Sequence, residues 1–334
     1  MSMDVSTSTP SLLSRAGIRA AQHRLDGRVL RTPVVRSPAL DRLAGARLWL
    51  KAENLQRGGS FKMRGALLAV EALAESGSRG VAALSTGNHG LGVALAAREL
   101  GLSALLVLPS NAAATKVARS RDAGAEIHLT SVPLPDAMGV VKELGAERGF
   151  DVIDPFENPN AVAGQGTATA ELVDQVAAAG TRLDAVVLPV GAGSAVAGAC
   201  LAVAGQGITV FGAEAAVMPS FTRALRHGRP VDVPARDTIA DGLRPERVGH
   251  LPFGIACRVV ADVFTVDEDD IKEALVLTLT HARLLVEPSS AVAVAAALRV
   301  AAARDDLRDV GVLLSGGNVE MSLVADLLTQ AYGS

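Results

Sequence analysis

Large aromatic side chains are nearly missing from this chain of 334 residues: one Trp, one Tyr and seven Phe make up 3% of it. A core built without rings must be filled by Ala, Val and Leu, which suits helices laid on a buried parallel sheet. There is no surplus of positive charge either, with 32 Lys and Arg against 35 Asp and Glu and a net charge of −3. Too few rings to stack bases and no basic stripe exclude nucleic acid as a partner. Cysteine is scarce. Cys200 and Cys257 are far apart and form no C-x-x-C pair, which excludes a disulfide framework and suits two thiols in a reducing compartment. No apolar run is long enough to cross a bilayer. The first ten residues are polar and carry no signal-peptide core, so a cytoplasmic protein with no membrane partner is expected. What is abundant is ordinary globular material: 49% hydrophobic and 20% charged residues exclude disorder for most of the chain. The length suits about two domains.

Short apolar runs and helical stretches alternate along the chain. A helix from about Ser14 to Pro33, a strand at 47–51 and a helix from Lys62 to Ser76 open the pattern. Strands at 80–84, 104–108 and 125–129 then alternate with helices at 89–100, 114–123 and 136–148. Strands of four to six residues separated by helices of ten or more indicate βαβ units and parallel sheets. After a proline-rich crossing at 154–160, a second series places strands at 184–190, 208–213 and 310–314, and helices at 194–204, 268–281, 289–303 and from Glu320. Residues 230–252 read as irregular. The expected fold is α/β with two domains, each a mostly parallel sheet flanked by helices. Residues 1–78 and 149–334 form the larger, ligand-holding domain, and residues 79–148 a smaller inserted one.

Four small-residue loops each follow an apolar segment and precede a helix, where ligands bind in open α/β sheets. In Val190-Gly191-Ala192-Gly193-Ser194-Ala195-Val196-Ala197-Gly198 the glycines free backbone N–H groups to face an anion at a helix start. A phosphate dianion is the natural guest. The spacing fails the dinucleotide G-x-G-x-x-G pattern at Val196, and no lysine follows as in a P-loop. A merely tight strand–helix turn is the plainer alternative. Ser85-Thr86-Gly87-Asn88-His89-Gly90 exposes further N–H groups and suits a carboxylate; His89 reads as structural rather than as a general base. In Leu314-Ser315-Gly316-Gly317-Asn318 the Ser315 hydroxyl can hydrogen-bond a ring nitrogen without protonating it, or cap the next helix. Glu287, in Val286-Glu287-Pro288-Ser289-Ser290-Ala291, reads as a helix-capping acid or a group at a ligand's ring edge.

Lys62 gives these loops their chemistry. It follows Gly58-Gly59-Ser60-Phe61 at the start of an alanine-rich helix. A lysine amine in a dry, glycine-lined pocket can lose its proton near neutral pH and form a Schiff base with an aldehyde. A solvated lysine at a helix start is the competing reading.

Together SFKMRGA around Lys62, STGNHG from Ser85, NPNAVAGQGT from Asn158, PVGAGSAVAG from Pro189, TIADGL from Thr238, EPSSA from Glu287 and LSGGN from Leu314 resemble the fold-type II pyridoxal-phosphate enzymes, tryptophan synthase β-like in fold. The nearest group is the serine/threonine dehydratase and serine racemase family, and the likeness runs from about Ser14 to the end. The resemblance implies pyridoxal 5'-phosphate as cofactor, a small amino acid substrate and a homodimer. It further implies that Lys62 holds the cofactor and acts as the base at the substrate Cα. Phe61 packs near the ring, Asn88 donates to its phenolic oxygen, and Gly242 lines its edge. The amides of Gly191, Ala192, Gly193, Ser194 and Ala195 hold the phosphate, and Ser315 faces the ring nitrogen. Ser85, Thr86, Gly87, Asn88 and His89 take the substrate carboxylate.

Departures from the family pattern carry expectations of their own. Ala192 and Ser194 replace two of four glycines common in the phosphate loop, and a positive φ at Ala192 would cost about 1 kcal/mol or more. Thr86 stands where racemases place a serine as opposite-face acid/base, which weakens racemisation. Some relatives bind a divalent cation through a Glu and an Asp six residues on; here these are Glu214 and Ser220, an incomplete pair. The expected reaction is β-elimination from a β-hydroxy amino acid such as threonine or serine, giving a 2-oxo acid and ammonia. Racemisation, β-replacement as in cysteine synthases, and elimination from hydroxyaspartate, phenylserine or a hydroxyectoine derivative are the alternatives, with a non-catalytic cofactor-binding protein as the reading from another class.

Overall fold

The computed structural model describes residues 11–85, 87–132 and 136–333. It begins with α1 (Arg15–Leu25), capped by Ser14, whose hydroxyl accepts from Gly17 N. Gly27, at φ +70, turns the chain just after α1, so the helix stops well before Pro33. Next come β1 (Val34–Val35), α2 (Pro38–Ala44), β2 (Arg47–Ala52) and α3 (Lys62–Glu75). The central run is β3 (Gly80–Leu84), α4 (Asn88–Glu99), β4 (Ser103–Pro109), α5 (Ala114–Asp122), β5 (Glu126–Thr130), α6 (Ala137–Arg148) and β6 (Asp151–Val152). Beyond it lie α7 (Pro159–Ala178), β7 (Ala185–Pro189), α8 (Ser194–Ala202), β8 (Thr209–Ala215), α9 (Ser220–His227), α10 (His250–Ala256) and β9 (Val260–Val266). The chain closes with α11 (Glu268–Leu277), α12 (Pro288–Ala303), β10 (Asp309–Leu314) and α13 (Met321–Tyr332).

These strands make two sheets. Six strands run in the order β1-β2-β10-β7-β8-β9, and four in the order β5-β4-β3-β6. Every pairing is parallel except β1 with β2. The α/β class with parallel sheets is as expected. The small sheet, however, does not stop at residue 148: β6 pairs with β3 and carries it to Val152.

Several elements are invisible to periodicity. Helix α7 is buried along nearly all its length and has no amphipathic stripe to read. Strand β9 is an edge strand whose exposure follows no strict alternation, and α9 and α10 are only 8 and 7 residues long. Helix α7 is the axle of the site. Its start is fixed by Asn158, whose Oδ1 accepts from Asn160 N and Ala161 N, with Pro159 pre-set for the first turn. A Cβ on Gly164 would lie 2.5 Å from Gly65 Cα in α3, and one on Gly166 would lie 2.7 Å from Gly198 O in α8. Only glycine lets these backbones approach so closely. Helix α7 thus clamps both the helix that begins at Lys62 and the helix that begins at the 191–195 loop.

Candidate active site

Three helix starts and two loops converge on one cavity of about 510 Å³. It is lined by Phe61, Lys62, Ser85, Gly87, Asn88, His89, Gly191, Ala192, Gly193, Ser194, Ala195, Gly242, Glu287 and Ser315 among others. Every site residue expected from the sequence lines this cavity except Thr86 and Glu214. Thr86 lies outside the described residues.

Lys62 is the first residue of α3 and is half-buried. Its position is set from behind: Phe61 N donates to Ser315 O at 3.0 Å, and Ser60 bridges to Gly316. Burial lowers its ammonium to about 8, against the raising pull of Glu287. Its Nζ lies 4.9 Å from the centre of the Phe61 ring.

At the N-terminus of α8 the N–H groups of Gly191 to Ala195 take part in no hydrogen bond among the described residues. Gly193 holds φ +98, and a Cβ there would lie 2.8 Å from Val248 and 2.9 Å from Pro252. Ala192 does not adopt a positive φ. The loop therefore needs glycine at 193 and accepts alanine at 192 without the strain that a positive φ would bring. Gly191 faces Gly242, with room for no side chain: a Cβ would lie 2.9 Å from Gly242 O.

The Ser85 hydroxyl is turned into its own loop, accepting from Gly87 N at 3.1 Å and Gly90 N at 2.7 Å. From its place on the cavity lining it thus holds the first turn of α4. The N–H groups of Asn88 and His89, in the first turn of α4, are without partners among the described residues. His89 Nε2 is buried and unpartnered. Burial and the charge of Lys62 push this imidazole down to about 3, so it is neutral and cannot offer a cation to a carboxylate.

Asn88 is engaged within the protein. Its Nδ2 donates to both oxygens of Glu287, at 3.0 and 2.9 Å. Glu287 is buried at the cavity floor, and burial lifts its carboxyl to about 7 although Asn88 pulls it back. The Ser315 hydroxyl is buried, 3.1 Å from that of Ser290, which also donates to Gly316 O. Ser315 is thus held by a neutral partner.

Glu214 lies elsewhere. Its carboxylate accepts from Phe221 N at 2.5 Å, Thr222 N at 3.0 Å and the Thr222 hydroxyl at 2.8 Å, so it caps α9. Ser220, where a cation site would want an acid, adds a hydroxyl at 3.5 Å.

Sequence reasoning missed a second ring of cavity residues. Lys116 and Arg119 lie one turn apart on α5; Lys116 pairs with Asp241, and Arg119 donates to Asn318 Oδ1 at 3.3 Å. Thr115 donates to Glu320. These contacts run from the small sheet's helix to loops of the large sheet. The i, i+3 spacing of Lys116 and Arg119 was the one available signal, and nothing in it names a partner.

These features fit pyridoxal phosphate. There is an anion cradle with uncommitted N–H donors, a glycine that a Cβ would ruin, a lysine amine drawn toward neutrality and a buried hydroxyl at the SGGN turn.

Comparison with known proteins agrees. The family model described as "Pyridoxal-phosphate dependent enzyme" matches residues 25–316. The chain is 35% identical to the L-threo-3-hydroxyaspartate ammonia-lyase of Saccharomyces cerevisiae, over 92% of this chain and 94% of that protein. It is 36% identical to the serine racemase of Dictyostelium discoideum, over 93% and 96%. The crystal structure of a threonine deaminase from the organism abbreviated T.th. superposes with a TM-score of 0.87 at 39% identity, covering 92% of this chain and 99% of that one. With the lysine, the cradle and the two parallel sheets in place, and with likeness to these relatives over nearly its whole length, the chain belongs to the pyridoxal-phosphate dependent enzymes of fold type II.

Proposed function

We propose that this enzyme is an ammonia-lyase that eliminates water from a β-hydroxy amino acid to give an enamine, whose hydrolysis takes the water back and yields a 2-oxo acid and ammonia. One observation carries the reading: the Lys62 amine, drawn to about 8 by burial, lines one cavity with two sets of uncommitted N–H donors. The donors of Gly191 to Ala195 suit the cofactor phosphate, and those of Asn88 and His89 suit the substrate carboxylate. When bound, pyridoxal phosphate supplies the electron-withdrawing group that makes the substrate's Cα–H acidic. Lys62, as the free amine, takes that proton, a general-base contribution of about 10²–10⁴-fold. The amine lies 4.9 Å from the centre of the Phe61 ring, and Gly242 lines the cavity where a Cβ would lie 2.8 Å from Ser289 Oγ. Ser315 offers a hydroxyl where an acid would hold a ring nitrogen protonated. A ring left neutral stabilises negative charge on Cα poorly, which favours prompt loss of a β-hydroxyl over longer-lived alternatives.

The small sheet and its helices, residues 79–148 with β6 appended, act in this reading as the unit that carries the carboxylate loop over the larger cofactor-holding unit. Similarity to a serine racemase at 36% identity supports racemisation as the second reading. The test is ammonia and 2-oxo acid release, with chiral analysis of remaining substrate, across serine, threonine, 3-hydroxyaspartate and phenylserine of both configurations. A 2-oxo acid product that disappears in Lys62→Ala, together with the visible absorbance of the bound cofactor, is expected. Inverted substrate without 2-oxo acid would establish the racemase instead. A thiol amino acid made from O-acetylserine and sulfide would establish β-replacement. Full turnover by Lys62→Ala would remove this lysine from the reaction.

A further inference from the structure

Two asparagines and a glutamate in the cavity form a hydrogen-bond chain whose direction is fixed. Asn318 Nδ2 donates to Gly58 O at 2.7 Å and to Asn88 Oδ1 at 2.8 Å, while its Oδ1 accepts from Arg119. The Asn318 nitrogen therefore points at Asn88, and Asn88 must present its own nitrogen on the other side. That nitrogen meets both oxygens of Glu287. An amide flip at either asparagine sets donor against donor or acceptor against acceptor, so the chain has one polarity.

Glu287 is also packed in place. Its N–H donates to Gly316 O at 3.0 Å, and a Cβ on Gly316 would lie 2.8 Å from Glu287 Oε1. Gly316 in turn pairs with Ser60, and Ser315 O accepts from Phe61 N. One turn thus holds both the Glu287 carboxylate and the segment that ends in Lys62.

We propose that Glu287 is a positioning residue for Lys62: a carboxylate aimed by the Arg119–Asn318–Asn88 chain that sets the protonation of the Lys62 nitrogen, free or joined to the cofactor. The proposal rests on reading Lys62 as the cofactor's attachment point. The charged groups that face Glu287 are Asp241 from the 241–243 turn and Lys116 from α5, with Lys62 across the cavity. Asp241 and Lys116 pair with each other and pull Glu287 in opposite directions. Lys62 faces Glu287 and the neutral His89 of α4. Among the described residues that line the cavity with Lys62, Glu287 is the buried carboxylate.

The experiment titrates the visible absorbance of the cofactor-loaded protein from about pH 6 to 10 in the wild type, Glu287→Gln and Glu287→Asp. Losing the negative charge favours the unprotonated nitrogen, so the ionisation of the Gln variant is expected about one pH unit below the wild type. Asp, with its charge one methylene farther away, is expected to move it by less. A Gln variant that titrates at the wild-type pH overturns the proposal. If the Gln variant holds no cofactor, the Asp variant decides: a fractional downward shift supports the proposal and an unshifted titration overturns it. A visible band that survives in Lys62→Ala would overturn the reading of Lys62 itself, a result distinguishable from either outcome at Glu287.

Discussion

Arg64 and Glu53 are both 0% exposed and are joined by two hydrogen bonds of 2.8 Å, Nε to Oε2 and Nη2 to Oε1. The same guanidinium donates to Glu171 at 2.7 and 2.9 Å. Lys51, equally buried, donates to Glu171 and Gln175 at 2.8 Å. Two residues beyond Lys62, Arg64 thus ties the start of α3 to the 53–55 turn and to α7. The pair count is balanced, with two cations on two carboxylates, which is the condition for charges to be tolerated inside a protein.

Removing one member of that network should be costly. Arg64→Met is expected to lose about 3–5 kcal/mol of stability, because two buried carboxylates lose their main partner. Urea denaturation of the cofactor-loaded protein measures it; a loss under about 1 kcal/mol would mean that water or Lys51 replaces the guanidinium. The acid limb follows with its sign. Burial alone would raise the Glu53 carboxyl, but the charge and hydrogen bonds of Arg64 outweigh burial and hold it below its ordinary 4.5. Its contribution is therefore full above about pH 4.5 and drains away as pH falls through the lower folded value. Wild-type stability should fall on that limb, and the Arg64→Met variant should fall less steeply.

Lys62 must be unprotonated to react with an aldehyde, and its ammonium sits near 8. The rate at which cofactor-free protein gains visible absorbance on mixing with pyridoxal phosphate should rise about tenfold per pH unit below 8 and level off above it. A rate unchanged between pH 6 and 8 would show that another step governs uptake.

The loop at 191–195, proposed to hold the cofactor phosphate, separates two neighbouring small residues. Gly193→Ala forces a side chain into φ +98 and against Val248 and Pro252, so it should weaken cofactor affinity by at least about tenfold, corresponding to strain of about 1–3 kcal/mol. Ala192→Gly relieves no strain, since Ala192 has no positive φ, and should leave affinity within about twofold. Fluorescence titration with the cofactor checks both. Equal losses at the two positions would refute the assignment of the turn to Gly193 alone.

The sequence was most legible where a strand ends and a helix begins. β3, β4, β7 and β10 each have an apolar run with small residues beyond it, and the loops after β3, β7 and β10 line the cavity. Helix α7 and strand β9 were not legible, because a helix buried on all sides and a half-exposed edge strand lack the contrast that periodicity needs. Strand β6 was not legible either, because it has two residues and exists only through its pairing with β3.

Local chemistry along the chain determined that there would be parallel sheets, a lysine among glycines, a glycine-containing strand-to-helix turn at 191–195 and a hydroxyl at 315. These follow from residue types within a few positions of one another. The caps made by Ser85 and Glu214 are also local, joining residues 2 to 8 positions apart, but residue type alone does not announce them. The tertiary structure decided that the Asn88 amide faces Glu287, 199 positions away, because hydrogen-bond direction is fixed by where that partner's lone pairs come to rest.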